Sequence, residues 1–185
     1  MATAFTHALV GGSLGQLSPK GLPRVRLVFW LALAAVAPDL DVVAFKLGIP
    51  YGHMFGHRGF SHSLVFALLA APFFALAAVA KDSWFGRAWW GVAGLFAVAV
   101  ASHGLLDAIT DAGLGIGFFV PFSEERYFFP WRPLITASVS PVGFFNARAG
   151  AILRSEITAV WLPLLGASLV FQIGKFVIRA RSTDS

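Results

Sequence analysis

The sequence contains no cysteine and few charged residues, and both absences narrow the classes of protein that fit it. Without cysteine the chain has no disulfide and no thiolate metal ligand. Only 12% of its 185 residues are charged and 57% are hydrophobic, whereas soluble domains carry about 25% charged residues. With a mean hydropathy of +0.75, this composition predicts a protein that uses lipid as part of its solvent.

Uncharged stretches alternate with short polar connections along the whole chain. A transmembrane helix needs about 20 apolar residues, and the alternation predicts an all-α integral membrane protein. We expect one domain over residues 1–185, a bundle of about four to five transmembrane helices. The first stretch is short for a span and fits a partial crossing or an interfacial helix. The stretches are Met1 to Leu17, Leu27 to Ala37, Gly59 to Ala80, Ala88 to Leu106 and Ile157 to Gly174.

The basic residues indicate how the bundle is oriented in the membrane. The net charge is +5, but the lysines and arginines are scattered between apolar runs, so no direct nucleic acid binding is expected. Basic residues are enriched in the cytoplasmic loops of membrane proteins. Lys20, Arg24 and Arg26 lie in the first loop, on one side of the predicted bundle. The polar clusters described next lie on the opposite side. These clusters are therefore predicted to face outward.

The heptapeptide His57-Arg58-Gly59-Phe60-Ser61-His62-Ser63 lies directly against a long apolar run. Polar groups at membrane depth are costly and indicate a functional site. The arrangement recurs elsewhere: Asp39 and Asp41 flank the end of one apolar run, where Pro38 is predicted to kink or end the helix. Asp107 and Glu156 also border apolar runs, and His7 and His103 lie within such runs. This recurrence predicts one polar centre at one face of the bundle.

His103 and Asp107 are four residues apart, so both point from one helix face, and Thr110 and Asp111 are predicted to continue that face. This spacing suits a shared metal ion, although a hydrogen-bonded pair would give the same pattern. His57 and His62 are five apart and can converge if His57 lies in a loop and His62 in the first helical turn. Ser61 is then the expected N-cap.

A set of imidazole and carboxylate ligands without sulfur suits Zn²⁺ and tolerates Mn²⁺ or Fe²⁺. We expect one or two ions, activating water for attack on an ester or phosphoester. The general-base candidates are Asp41, Asp111 and Glu156. Arg58 and Arg126 are candidate anion clamps, and Ser61 is a candidate substrate contact. The predicted metal ligands are His7, Asp39, His57, His62, His103 and Asp107.

Each of these sites also has a purely structural interpretation. His7 can be a packed histidine, Asp39 and Asp41 a solvated turn, and Glu156 an acid favoured by a helix N-terminus. The arginines can anchor to lipid headgroups. Convergence of several sites on one predicted face favours a metal centre over these alternatives. Residues 111–155 are expected to form a long ordered loop at the metal-site face, re-entrant or covering, with short strands.

Three blocks resemble the signature motifs of a bacterial and archaeal membrane family, the LexA-binding, inner-membrane-associated metal-dependent hydrolases. They are Ala37 to Asp41, His57 to Ser63 and His103 to Thr110. The segment from Gly113 to Arg126 is similar to the family's next block, and His7 stands where its N-terminal histidine is expected. The resemblance implies a multi-pass inner-membrane protein with metal-dependent hydrolase activity and a repressor-type protein partner. The predicted position of the site at the membrane surface favours a lipid-like or other small-molecule substrate.

The order of histidines and aspartates is also similar to that of zinc-dependent phospholipases C, although that family's second histidine and glutamate set has no clear counterpart here. Two other functional classes fit the sequence. A non-enzymatic membrane protein would bind a regulatory partner, such as a transcriptional repressor, through its basic inner loops. A metal or proton transporter would place its carboxylates near the middle of the membrane instead of at helix ends.

Overall fold

A computed structural model describes residues 1–19, 21–138 and 148–183. The architecture is helical: the described residues form no β-strand, only two isolated β-bridges. The prediction of an all-α membrane protein is therefore confirmed. The helices are α1 (Ala4–Ser13), α2 (Arg24–Val36), α3 (Val43–Lys46), α4 (Leu64–Ala78), α5 (Arg87–Ala108), α6 (Ala149–Glu156) and α7 (Leu162–Thr183).

Among the described residues, three helical segments are long and apolar enough to cross a membrane: Arg24–Lys46, Arg87–Ala108 and Ala149–Arg181. Helix α4 is apolar but only 15 residues long. The uncharged stretch Gly59 to Ala80 is therefore longer than the helix within it. Its first residues are taken up by a 3₁₀ turn, Phe60–His62, that is separate from the helix.

Pro38 changes the course of the first span. Helix α2 ends at Val36, and the chain continues as a 3₁₀ segment, Ala37–Val42, before α3 begins. Proline lacks the backbone N–H that an α-helix requires in its interior, which accounts for the break. Asp39 and Asp41 both lie in the 3₁₀ segment, as expected for a kinked helix end.

The core of the bundle lies between α1, α2, α4 and α5. Many of its buried residues are alanines, which let membrane helices approach closely, and larger side chains such as Leu31, Trp89 and Phe96 fill the space between them. A π-helical stretch, Ile157–Trp161, joins α6 to α7. Most of the large hydrophobic side chains of α7 are exposed, as expected for a helix that faces lipid.

The loop after α5 folds back over the end of that helix. Thr110 pairs with Leu134 and Ile116 with Tyr127 as isolated bridges, so the short strands expected here are not formed among the described residues. The backbone N–H of Gly117 donates to the Arg58 carbonyl. The described part of the loop thus holds the heptapeptide against α5, while residues 139–147 of the predicted loop lie outside the described residues.

Candidate metal centre

Four side chains from three segments meet at one end of the bundle. Asp39 comes from the 3₁₀ segment after α2, His62 from the 3₁₀ turn before α4, and His103 and Asp107 from the last turns of α5. One nitrogen or carboxylate oxygen from each lies within 4.8 Å of the others. Both histidines and Asp107 are buried, and only Asp39 is partly exposed, with 10% of its side chain accessible.

The spacing between the ligand atoms suits a single ion. His103 Nε2 lies 3.2 Å from Asp39 Oδ1, and His62 Nε2 lies 3.8 Å from the same oxygen. His62 Nε2 is also 4.0 Å from Asp107 Oδ2. Zinc binds nitrogen and oxygen ligands at about 2.0–2.2 Å in a tetrahedron, which separates neighbouring ligand atoms by about 3.3–3.6 Å. The observed separations lie at and slightly above that value.

In the neutral form of His103, its hydrogen bond leaves Nε2 without a proton. Nδ1 of His103 lies 2.7 Å from the Ala35 carbonyl oxygen, which can only accept, so Nδ1 carries the proton in the neutral ring. The lone pair of Nε2 then faces Asp39. This nitrogen, His62 Nε2 and both Asp39 oxygens are buried and have no hydrogen-bond partner. Facing acceptors of this kind repel each other unless a cation lies between them, so the residues fit a divalent metal ion.

His62 is suited to a neutral ligand role. Burial lowers its pKa to about 4, although the neighbouring Asp41 carboxylate acts in the opposite direction. A metal-binding imidazole must be deprotonated at the coordinating nitrogen. At neutral pH the His62 side chain therefore meets that requirement.

His7 borders the same centre from α1. Its ring stacks on His103 with the ring centroids 3.7 Å apart, and its Nε2 lies 3.4 Å from Asp107 Oδ1. Neither ring nitrogen of His7 has a hydrogen-bond partner. Asp107 is more constrained, because its oxygens accept from Ala2 N and Arg58 Nε. The structure thus places His7 at the edge of the centre, in contact with two of the four converging residues.

Gly104 allows the 3₁₀ turn to approach α5. A Cβ atom at this position would lie 2.9 Å from the carbonyl oxygen of His62 and 3.2 Å from the Phe118 ring. Separations near 3 Å are too short for a carbon contact, so a larger residue would push the turn away. Because His103 precedes Gly104 directly, this close approach brings His62 and His103 within ligand distance of one ion.

Helix α4 is capped by a serine two residues later than expected. Ser63, not Ser61, is the N-cap of α4, and its side chain accepts a hydrogen bond from Phe66 N. The N-cap prediction for Ser61 is therefore wrong. The cap falls at the residue just before the apolar run, which is the usual sequence signal for a helix start. Ser61 instead donates to Asp41 Oδ2 at 2.6 Å and lies 2.9 Å from His62 Nδ1.

Arg58 is buried within the site and does not project into solvent. Its Nε donates to Asp107, and its two terminal nitrogens donate to the Ala112 carbonyl and the Thr110 hydroxyl. Its backbone has φ = 63°, a left-handed conformation that is held only where the surroundings fix it. In this structure the guanidinium predicted to clamp an anion neutralises Asp107 instead.

Arg126 braces the heptapeptide from the loop side. Its guanidinium donates to the backbone carbonyls of His57, Tyr51 and His53. These contacts hold the segment that precedes Arg58. A further role of Arg126 toward a substrate stays a prediction.

The structure does not bring Asp111 and Glu156 into the His/Asp cluster. Helix α5 ends at Ala108, so Asp111 does not continue the face of His103 and Asp107, contrary to expectation. Burial raises the pKa of Asp111, but hydrogen bonds from the side chain and backbone of Thr136 outweigh this effect and lower it. Glu156 is buried and accepts from Thr3 N, Thr3 Oγ1 and Thr6 Oγ1.

Two features around the cluster could not be predicted from the sequence. The Ala35 carbonyl that orients His103 is a backbone group, for which the sequence carries no signal. The threonines that bind Glu156 lie about 150 residues away in the chain, and Trp161 Nε1 donates to Thr6 in the same network. This network fixes the first turn of α1, the helix that carries His7.

Fold and site together define a multi-pass helical membrane protein with a buried histidine and aspartate cluster at one end of its bundle. The family model of the YdjM inner membrane proteins matches residues 1–179, and the chain belongs to this family. It is 39% identical over 170 residues to the inner membrane protein YbcI of Escherichia coli (strain K12), covering 88% of this chain and 92% of that protein. No solved structure matches the chain. The predicted multi-pass inner-membrane location is thereby confirmed.

Proposed function

We propose that the protein is a metal-dependent hydrolase that cleaves an ester or phosphoester bond of a lipid-like substrate at the membrane surface. One observation carries the proposal: His62 Nε2, His103 Nε2 and Asp39 Oδ1 converge in a buried site without hydrogen-bond partners. Zn²⁺ is the ion best suited to such ligands, and Mn²⁺ or Fe²⁺ would also fit. A divalent ion held there would acidify water and would stabilise negative charge on an ester or phosphoester.

The protein's own groups supply the remaining functions. Asp39 is the one converging side chain that is partly exposed, so a substrate approaches from its side. Its Oδ2 has no partner and is the carboxylate oxygen best placed to accept a proton. Asp41 is a weaker candidate base than the sequence suggests, because His57, Ser61 and the Arg58 backbone donate to it.

The carboxylate positions favour a hydrolase over a transporter. Asp107 is one residue from the end of α5, and Asp39 lies in the last third of the Arg24–Lys46 segment, after α2 ends at Val36. A transport pathway would require such groups near the middle of a span. Carboxylates at helix ends instead support a centre near the membrane surface.

A groove on α4 supports a lipid-like substrate. It has a volume of about 350 Å³ and is lined only by apolar side chains, within the range of about 300–1,000 Å³ typical of small-molecule sites. It begins at Phe60, two residues from His62, and follows one face of α4. An acyl chain in this groove would place its headgroup near the cluster. The lining residues are Phe60, Phe66, Leu69, Ala70, Phe73 and Phe74.

Hydrolysis by purified protein tests the proposal directly. Aryl esters and aryl phosphodiesters with acyl chains of increasing length are offered with Zn²⁺, and with a chelator in place of the metal. We expect turnover that depends on metal and rises with chain length. Turnover that survives both the chelator and His103→Ala would exclude this centre as its source.

Two matched tryptophan variants test whether the groove binds the acyl chain of the substrate. Ala70→Trp fills the groove, whereas Ala167→Trp adds the same side chain to an exposed position of α7. Ala70→Trp should reduce turnover of long-chain substrates but not of short ones, and Ala167→Trp should change neither. Equal effects of both variants would contradict the assignment of the groove.

The repressor-binding alternative also remains a prediction, and Arg24 and Arg26 are its candidate contacts. Arg26 already donates to the Ala77 carbonyl, so Arg24 gives the cleaner test. Charge reversal at Arg24 should abolish binding of such a partner and leave metal content unchanged.

A further inference from the structure

Two groups of potential metal ligands share His62. The first contains Asp39, His62, His103 and Asp107, and the second contains Asp41, His57 and His62. Taken by composition alone, the pair could hold two ions. The two groups differ in their hydrogen bonds. The first contains buried atoms without a hydrogen-bond partner, whereas both oxygens of Asp41 in the second accept hydrogen bonds.

Each oxygen of Asp41 already accepts protons from the protein. Oδ1 lies 2.7 Å from His57 Nδ1, which must donate because a carboxylate only accepts. Oδ2 accepts from Ser61 Oγ at 2.6 Å and from Arg58 N at 3.2 Å. A second ion on these oxygens would have to displace hydrogen bonds that are short and charge-assisted. The second group is therefore a hydrogen-bonded network that supports the first and not a second metal site.

The same bonds decide which nitrogen of His62 carries a proton. Because the single hydroxyl proton of Ser61 goes to Asp41, Ser61 Oγ can only accept from His62 Nδ1, 2.9 Å away. Asp41 Oδ2, 3.2 Å from the same nitrogen, is also an acceptor. Both neighbours therefore hold the proton on Nδ1 and leave the lone pair on Nε2. Nε2 is the atom that faces Asp39 and Asp107.

We infer that the centre holds one ion and that Ser61 and Asp41 are positioning residues that fix the tautomer and orientation of His62 toward it. The inference rests on the proposed metal site and concerns the residues behind its ligands. Ser61 links the ligand His62 to the Asp41 carboxylate, and His57 holds that carboxylate from the other side. Partners of this kind, lying behind metal-binding histidines, typically change metal affinity by about 10- to 100-fold when removed.

The test compares three serine variants of the full-length protein in detergent. Ser61→Ala removes the link, Ser61→Thr retains a hydroxyl, and Ser63→Ala removes the N-cap of α4 two residues away. Zn²⁺ affinity is measured by competition with a chromogenic chelator, Zn²⁺ stoichiometry by elemental analysis, and ligand geometry by the visible spectrum of the Co²⁺-loaded protein. Thermal melting of each variant monitors folding.

We expect one ion per wild-type chain. Ser61→Ala should weaken Zn²⁺ binding by about 10- to 100-fold and alter the Co²⁺ spectrum, and Ser61→Thr should restore both. Ser63→Ala should lower the melting temperature while leaving affinity and spectrum as in wild type. Unchanged affinity in Ser61→Ala, or two ions per wild-type chain, would overturn this inference and leave the proposed metal site standing. A wild type that binds no ion would overturn both.

Discussion

Replacing Gly104 by alanine should damage the metal centre without touching any of its ligands. A Cβ at this position would meet the His62 carbonyl oxygen at 2.9 Å, Phe118 at 3.2 Å and Ile116 at 3.4 Å. The closest of these atoms belongs to the backbone, so relief requires the 3₁₀ turn itself to shift. The turn would carry His62 away from His103 and Asp39.

The matched control is Gly94→Ala on the same helix, where an added Cβ meets nothing within 4 Å. Both substitutions gain about 1 kcal/mol of helix propensity, so their difference isolates the contact. Overpacking typically costs about 1–3 kcal/mol. At about 2–4 °C per kcal/mol for a chain of this size, Gly104→Ala should melt roughly 2–12 °C below Gly94→Ala.

Melting is followed by tryptophan fluorescence, and Zn²⁺ affinity by chelator competition. We expect Gly104→Ala to lose at least about tenfold in affinity, since loss of a partner that orients one metal ligand has an effect of that order. Gly94→Ala should bind like wild type. If the two variants have the same melting temperature and the same Zn²⁺ affinity, the close approach at Gly104 does not set the position of His62, and this reasoning is refuted.

Three further predictions follow from the buried contacts. Arg58→Met leaves the Asp107 carboxylate without its cationic partner. It should destabilise the protein by about 3–5 kcal/mol, measured by denaturant unfolding. A smaller loss of stability than in Arg126→Met would contradict this prediction. Glu156→Ala removes the acceptor of the Thr3 amide and of the buried Thr3 and Thr6 hydroxyls. The free energy of unfolding should fall by at least about 1–3 kcal/mol, and amide exchange in α1 should become faster. Glu125→Ala, at an exposed site, is the control. Adding Zn²⁺ at 100 times its dissociation constant should stabilise the wild type by about 2.7 kcal/mol but not His103→Ala, and equal stabilisation of both would place the ion elsewhere.

The sequence was sufficient to predict the helical membrane fold and the segments that bear the polar residues. Asp39, His62 and His103 stand at the edges of uncharged runs, where polar groups are costly and therefore conspicuous. The kink at Pro38 followed from the chemistry of proline alone. These features depend on local composition, which a single sequence displays directly.

What could not be predicted depends on contacts between distant segments. Ser61 and Ser63 are equally good caps by residue type, and only the position of the 3₁₀ turn decides between them. Asp111 shares helical spacing with His103, but α5 ends at Ala108 and the loop turns Asp111 toward Thr136. Glu156 finds its hydrogen-bond partners on α1, at the opposite end of the chain. The pairing of Arg58 with Asp107 is likewise a property of the folded bundle.

The metal content of the purified protein tests the central claim most directly. Wild type is compared by elemental analysis with His103→Ala, and with His53→Ala, which removes an exposed loop histidine outside the cluster. We predict close to one divalent ion per chain in wild type and in His53→Ala, and almost none in His103→Ala. A wild type without metal, or a His103→Ala variant with the same content as His53→Ala, would contradict the assignment of this cluster as a metal centre.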